Sequence, residues 1–166
     1  MSTLWVIGDS TVSSFEDKYY YPRYGYGTML DKYLDDSIKV VNIALSGRST
    51  KSYTTEPQYN ELLSGMKQGS DTLLHITKDV GTFKGGDYPE AIRKLGSELN
   101  IPVVDMTEKT HKLYDELGAS NTLYLHAWPS DNELSVDNTH TNIWGARVNA
   151  YMVMLAVKEL GIEGLS

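Results

Sequence analysis

The fold turns on residues 4–14, LWVIGDSTVSS. Leu4-Trp5-Val6-Ile7 is a short apolar run of the length and kind that forms a buried strand. It stops at Gly8-Asp9-Ser10-Thr11, in which Gly, Asp and Ser favour tight turns and helix caps. One reading of this junction is a plain turn. The other is a turn that presents the Ser10 hydroxyl at the end of the first strand of a sheet. A serine there is a nucleophile only if a base comes from elsewhere in the chain.

Outward from this stretch, helical and strand patterns alternate. Thr28–Leu34 has helical spacing, and Ser37–Leu45 reads as a second strand through Ile38, Val40, Val41 and Ile43. SGRST (46–50) follows as a loop. Glu56–Met66 is a helix with Pro57 in its first turn. Asp71–Ile76 is a third strand. Tyr88–Leu99 is a helix that turns Ala91, Ile92, Leu95 and Leu99 inward, and Ile101–Val104 is a strand after the Asn100 stop. Thr107–Leu117 is a helix opening at a capping threonine. Asn142–Leu160 is the strongest helical pattern of all. The alternation predicts an α/β fold, a parallel sheet covered on both faces, in one domain spanning residues 1–166. Ligands in such folds bind at the carboxyl ends of strands. The Ser10 turn and the Ser46-Gly47-Arg48 loop are therefore expected on one edge.

Composition narrows the partners. The 166 residues carry a net charge of −7, with 40% hydrophobic and 22% charged residues. That field disfavours nucleic acid and anionic membrane and leaves small neutral substrates open. There are no cysteines, which removes disulfides, thiol nucleophiles and cysteine-ligated metals. His75, His111 and His126 lack ligand-type spacing, so neither metal nor cofactor is expected. No run approaches the roughly 20 apolar residues of a membrane helix. The chain enters its first strand with no signal-type segment, which makes the cytoplasm the expected location. Twelve tyrosines stand against two phenylalanines. Several fall in YYYPRYGYG (19–27), which suits a sugar-binding rim or an ordinary surface loop.

The candidate base lies in SVDNTHTNIWGAR (135–147). Asp137 and His140 are three residues apart in a polar stretch before the last helix. A turn can place such a carboxylate beside the imidazole, fixing its tautomer while it accepts a serine proton. The same residues also suit a plain helix entrance, with His140 solvated.

GDSTV after the first strand, SGRST after the second, and GDYPEA and DNTHTNIWGAR further on occur in a fixed order. By these blocks the chain resembles the SGNH or GDSL hydrolases, and within them the rhamnogalacturonan acetylesterase group of carbohydrate esterases. The resemblance covers residues 4–66 and roughly 83–160. It implies a flavodoxin-like three-layer α/β/α fold. It also implies Ser10 as nucleophile, His140 as general base and acid, and Asp137 as its orienting partner. The oxyanion hole would be formed by the backbone N–H groups of Ser10 and Gly47, while Asp9 braces the turn. Arg48 is a candidate sugar contact or an anchor of its own loop, and Trp128 a candidate platform for a sugar ring or a structural tryptophan. The implied substrate is an acetylated oligosaccharide or another small ester.

One block departs from the pattern. The family's Gly-x-Asn-Asp motif after the third strand, which adds an asparagine donor to the oxyanion hole, is missing here. The sheet is thus shortened, or a segment is absent from this sequence, with the junction near Leu74-His75. Loss of one oxyanion donor typically costs about 10²–10³ in kcat. Two functions follow as alternatives: a carbohydrate acetylesterase, or a catalytically impaired carbohydrate-binding remnant of one.

Overall fold

Trp5 and Val6 lie opposite Val41 and Asn42 in a parallel pair formed by β1 (Ser2–Val6) and β2 (Ile38–Asn42). The computed structural model describes residues 2–14, 21–66, 74–76, 87–128, 135–162 and 165. Beyond the ladder the two strands stay side by side. The Ile43 N–H donates to the Val6 carbonyl, and the Leu45 N–H to the Gly8 carbonyl, both at 2.9 Å. The turns that follow, carrying Ser10 and Gly47, therefore emerge together at the carboxyl edge, as expected.

A second parallel pair joins β3 (Leu74–Ile76) to β4 (Val103–Asp105). The rest of the predicted third strand, residues 71–73, and the loop 77–86 lie outside the described residues. Among the described residues no ladder connects β1 to β3. A short antiparallel pair, β5 (His126–Ala127) with β6 (Asp137–Thr141), was not expected. The polar, turn-rich DNTHT sequence hides this strand, because its pairing is decided by His126 and Ala127 rather than by its own periodicity.

The helices fall close to their predicted places, with instructive differences. Tyr26–Tyr33 is a 3-10 helix, not an α-helix. SGRST contributes to a further short helix, α1 (Thr50–Tyr53), closed by a reciprocal capping box between Ser49 and Ser52. α2 (Pro57–Gly65) places Pro57 in its first turn, where the missing N–H costs nothing. α3 (Tyr88–Leu99) ends at Asn100, whose φ of 51° is the left-handed conformation that asparagine tolerates. α4 (Met106–Thr122) is capped by Asp105, not Thr107: Asp105 Oδ1 accepts the Glu108 N–H at 3.1 Å. The strand residue that ends β4 thus also starts the helix. Gly118, at φ 73°, breaks α4 near its end.

α5 (Ile143–Glu159) supplies much of the core, burying Ala146, Ala150, Val153, Met154, Ala156 and Val157. These pack in one cluster with Val6, Val12, Leu30, Val104 and Met106, so β1, β4, the 3-10 helix and α5 share a core. The predicted inward face of α3 is corrected. Leu95 is 43% and Leu99 57% exposed, and the buried positions are Pro89 and Gly96. Periodicity identifies an apolar stripe but not whether a partner exists to cover it.

Candidate active site

Gly8, two residues past the end of β1, has a φ of +151°, a conformation a side chain rarely adopts. That bend sends Asp9-Ser10-Thr11 across the strand end. The Asp9 carboxylate accepts the Thr11 N–H at 3.0 Å and the Thr11 hydroxyl at 2.8 Å. The Asp9 carbonyl accepts the N–H groups of Val12 and Ser13. Asp9 is thus consumed in bracing the turn, the role expected of it. The Ser10 hydroxyl makes no hydrogen bond among the described residues. Gly47, at φ 73° with open space where a side chain would stand, tops the adjacent strand.

On β6 the carboxylate and imidazole meet. His140 Nδ1 lies 2.9 Å from Asp137 Oδ2, and Asp137 Oδ1 accepts the N–H groups of Thr139 (2.9 Å) and His140 (3.0 Å). Arg23 Nε donates to the same Oδ2 at 2.6 Å. Burial favours the neutral acid, but the Arg23 guanidinium, the two amides and the imidazole outweigh it. Together they hold the Asp137 carboxyl well below the usual carboxylate range. An anion of this kind beside Nδ1 leaves Nε2 as the proton-accepting nitrogen of His140. His126 Nδ1 lies 3.1 Å from the Asp137 carbonyl, which gives that histidine a structural place.

The Ser10 turn and β6 are distant in sequence and are joined by the segment Arg23–Tyr26. The Tyr26 N–H donates to the Thr11 carbonyl at 3.0 Å, and the Tyr24 N–H to the Thr141 carbonyl at 2.8 Å. Gly25 lies so close to the Val12–Ser13 backbone that a Cβ there would collide with it. Asn42, on β2, donates from Nδ2 to the Val12 carbonyl at 2.8 Å and accepts the Ala44 N–H at 3.1 Å, tying both edge loops together. Sequence reading missed Arg23 and Asn42. Arg23 stood within a tyrosine cluster, and its partner is 114 positions away. The inner half of that cluster is structural, since Tyr26 is buried and Tyr24 packs on the core. Tyr19 and Tyr20 lie outside the described residues.

Among the described residues the remaining candidates make no hydrogen bond to this pair. Arg48 Nε donates to Glu56 Oε1 and its Nη1 to the Ser46 carbonyl at 3.4 Å, so the side chain spans its own loop. Trp128 is 44% exposed and donates from Nε1 to the Leu123 carbonyl at 3.1 Å, which fixes one edge of the ring. No hydrogen bond links Ser10 to His140 among the described residues. Such contacts often tighten only when substrate is bound.

No family model matches the chain. A search of curated proteins finds rhamnogalacturonan acetylesterase RhgT of Bacillus subtilis (strain 168), 26% identical over 211 residues. That alignment covers 96% of this chain and 90% of RhgT. The probable rhamnogalacturonan acetylesterase YesY of the same organism is 24% identical over 208 residues, covering 96% of this chain and 94% of YesY. The chain is related to the SGNH-type carbohydrate esterases.

The chain also superposes on the crystal structure of protein YXIM_BACsu from Bacillus subtilis with a TM-score of 0.81. The two share 20% identity, and the match covers 98% of this chain but only 58% of that longer one. The likeness establishes the α/β fold with its parallel strands. The alignment with RhgT runs to 211 residues, 45 more than the 166 of this chain, so at least 45 positions inside it have no counterpart here. A chain shortened inside that alignment is consistent with the absent Gly-x-Asn-Asp block.

Proposed function

We propose that this chain, as a single domain, is a serine esterase that removes acetyl groups from plant-cell-wall-type oligosaccharides. One observation carries the reading: the Asp137–His140 pair, at 2.9 Å, is stitched to the turn that presents Ser10. In this reading His140 Nε2 takes the Ser10 proton as Oγ attacks the ester carbonyl carbon. The resulting oxyanion is met by the N–H groups of Ser10 and Gly47. The tetrahedral intermediate then expels the sugar oxygen, which takes the proton back from the imidazolium, leaving acetyl-Ser10. Water, deprotonated by His140, attacks that ester, and acetate leaves as the proton returns to Ser10. The bidentate backbone hole works without the third donor, at a cost of about 10²–10³ in kcat. The reading needs neither metal nor cofactor, and it assigns Arg48 and Trp128 to the rim where the sugar is held. The cytoplasm, where imported and partly degraded oligosaccharides would be met, remains the proposed location.

The names of the two relatives support the substrate class. The shortened chain favours the second reading, a binding remnant that holds carbohydrate without turning it over. Acetate release from acetylated oligosaccharides, with Ser10→Ala as control, separates them. The esterase requires release that disappears in Ser10→Ala, together with one organophosphorus adduct lost in the same variant. A folded protein that releases no acetate and takes no label, yet binds oligosaccharide equally well with or without the Ser10 hydroxyl, establishes the remnant.

A further inference from the structure

Asp137 Oδ2 is a shared atom. It faces His140 Nδ1 at 2.9 Å and receives Arg23 Nε at 2.6 Å, with the Arg23 and Asp137 side chains only 22% and 13% exposed. The other oxygen is fully engaged by the amides of Thr139 and His140. Those amides belong to the same turn as the carboxylate and can fix its position only relative to β6. Arg23 belongs to a different part of the chain. The residues that follow it bond to both parts of the site: Tyr24, next to it, to Thr141, and Tyr26, three positions on, to Thr11 beside Ser10.

We propose that Arg23 is a positioning residue of the Asp137–His140 pair, fixing which carboxylate oxygen meets the imidazole and holding that pair in register with the Ser10 turn. Its catalytic meaning rests on the esterase reading above; its grip on the pair does not. A guanidinium suits the task because it is permanently charged, planar and directional. Among the described residues, other titratable or charged side chains on the elements around the pair include His126 on β5, Tyr24 and Tyr26 on the bridging segment, Asp9 in the Ser10 turn, Tyr114 against His126, Tyr124 before β5 and Arg147 on α5. Of these, His126 bonds to the Asp137 backbone, not to its carboxylate.

The test is a histidine-labelled NMR titration of the whole chain, with the His140 signal assigned by its loss in His140→Gln. In Arg23→Gln the His140 midpoint is expected to rise by about half a pH unit or more, because the unopposed carboxylate stabilises the imidazolium. Arg23→Lys, which keeps the charge, should bring it most of the way back. On the esterase reading the acidic limb of kcat/KM moves in the same direction, and kcat falls by about tenfold or more with KM changed by less than about threefold. An unmoved His140 midpoint in folded Arg23→Gln overturns the proposal, whatever happens to stability. Should Arg23→Gln fail to fold, the unmodified protein decides. There the Arg23 Nε–H resonance must shift as His140 titrates, and an indifferent Nε–H overturns the proposal. A rise in the midpoint in a protein that never releases acetate supports the grip of Arg23 on the pair and overturns the esterase reading alone.

Discussion

Tyr24 and Thr141 exchange two hydrogen bonds. The Tyr24 N–H donates to the Thr141 carbonyl at 2.8 Å, and the Thr141 hydroxyl donates to the Tyr24 carbonyl at 2.9 Å. The pair works as a short two-rung ladder between the bridging segment and β6. Thr141→Val keeps the backbone rung and the shape but removes the hydroxyl donor. It should cost about 1 kcal/mol in urea unfolding. On the esterase reading it should also lower kcat more than it raises KM, since the Ser10 turn and the base strand lose part of their register. An unchanged unfolding midpoint would show that the rung carries no net stability.

Asp137 predicts a specific response to acid. Burial pulls its carboxyl towards neutrality, but Arg23, the Thr139 and His140 amides and the imidazole prevail and hold it low. A carboxyl depressed on folding contributes stability above its unfolded value of about 3.9. That contribution is lost as pH falls through the folded value. The unmodified protein should therefore lose stability below about pH 4 more steeply than Asp137→Asn, as measured by denaturant midpoints across that range. In an acetate-release assay Asp137→Asn should lose about 10⁴-fold in kcat near neutral pH, because the imidazole then favours the wrong tautomer. Parallel acid profiles for the two proteins would remove Asp137 from the pH dependence.

Asn142 makes four hydrogen bonds with one side chain. Its Oδ1 accepts the N–H groups of Trp144 (2.9 Å) and Gly145 (3.0 Å), capping α5. Its Nδ2 donates to the carbonyls of Tyr124 (2.8 Å) and His126 (3.0 Å). Asn142→Ala should cost about 2 kcal/mol, since both the cap and the tie to β5 go. Asn142→Asp keeps a good capping oxygen but sets an anion against two carbonyls. It should be destabilised as well, which a role limited to capping does not predict. Thermal unfolding of both variants, read at one pH near neutrality, separates the two accounts.

Arg48 and Glu56 form an ion pair across the Gly47 loop, with side chains 39% and 25% exposed. Exposed pairs of this kind are worth at most about 1 kcal/mol. Removing either partner should therefore barely change stability. The informative quantity is KM for an acetylated oligosaccharide in Arg48→Ala, Glu56→Ala and the double variant. Equal and non-additive increases would mean that Arg48 acts by anchoring the loop. An increase confined to the two variants that lack Arg48 would make its guanidinium a direct sugar contact.

Near-neighbour chemistry was legible in the sequence. The apolar run at Leu4–Ile7 ending on Gly8, the Pro57 helix start, the Asn100 stop and the Asp137/His140 spacing all describe contacts made within a few residues. Propensity and steric rules act at that range. Even there, the choice of Asp105 over Thr107 as the α4 cap depended on where β4 ended, a matter of pairing with β3. The burial of α3 was not legible either. Its apolar stripe is plain in the sequence, but Leu95 and Leu99 stay exposed because no described element covers them.

The sequence by itself thus determined the order of β1 to β4 and of α2 to α5, the turn that carries Ser10 and the carboxylate that attends His140. Only the tertiary structure decided that Arg23 closes on Asp137, that Asn42 ties the two edge loops and that Tyr24–Tyr26 links nucleophile turn to base strand. The physical reason is one of range. Backbone sterics and local hydrogen bonds are encoded position by position, whereas a guanidinium finds a carboxylate 114 residues away only after strand pairing and the packing of α5 have brought their segments together.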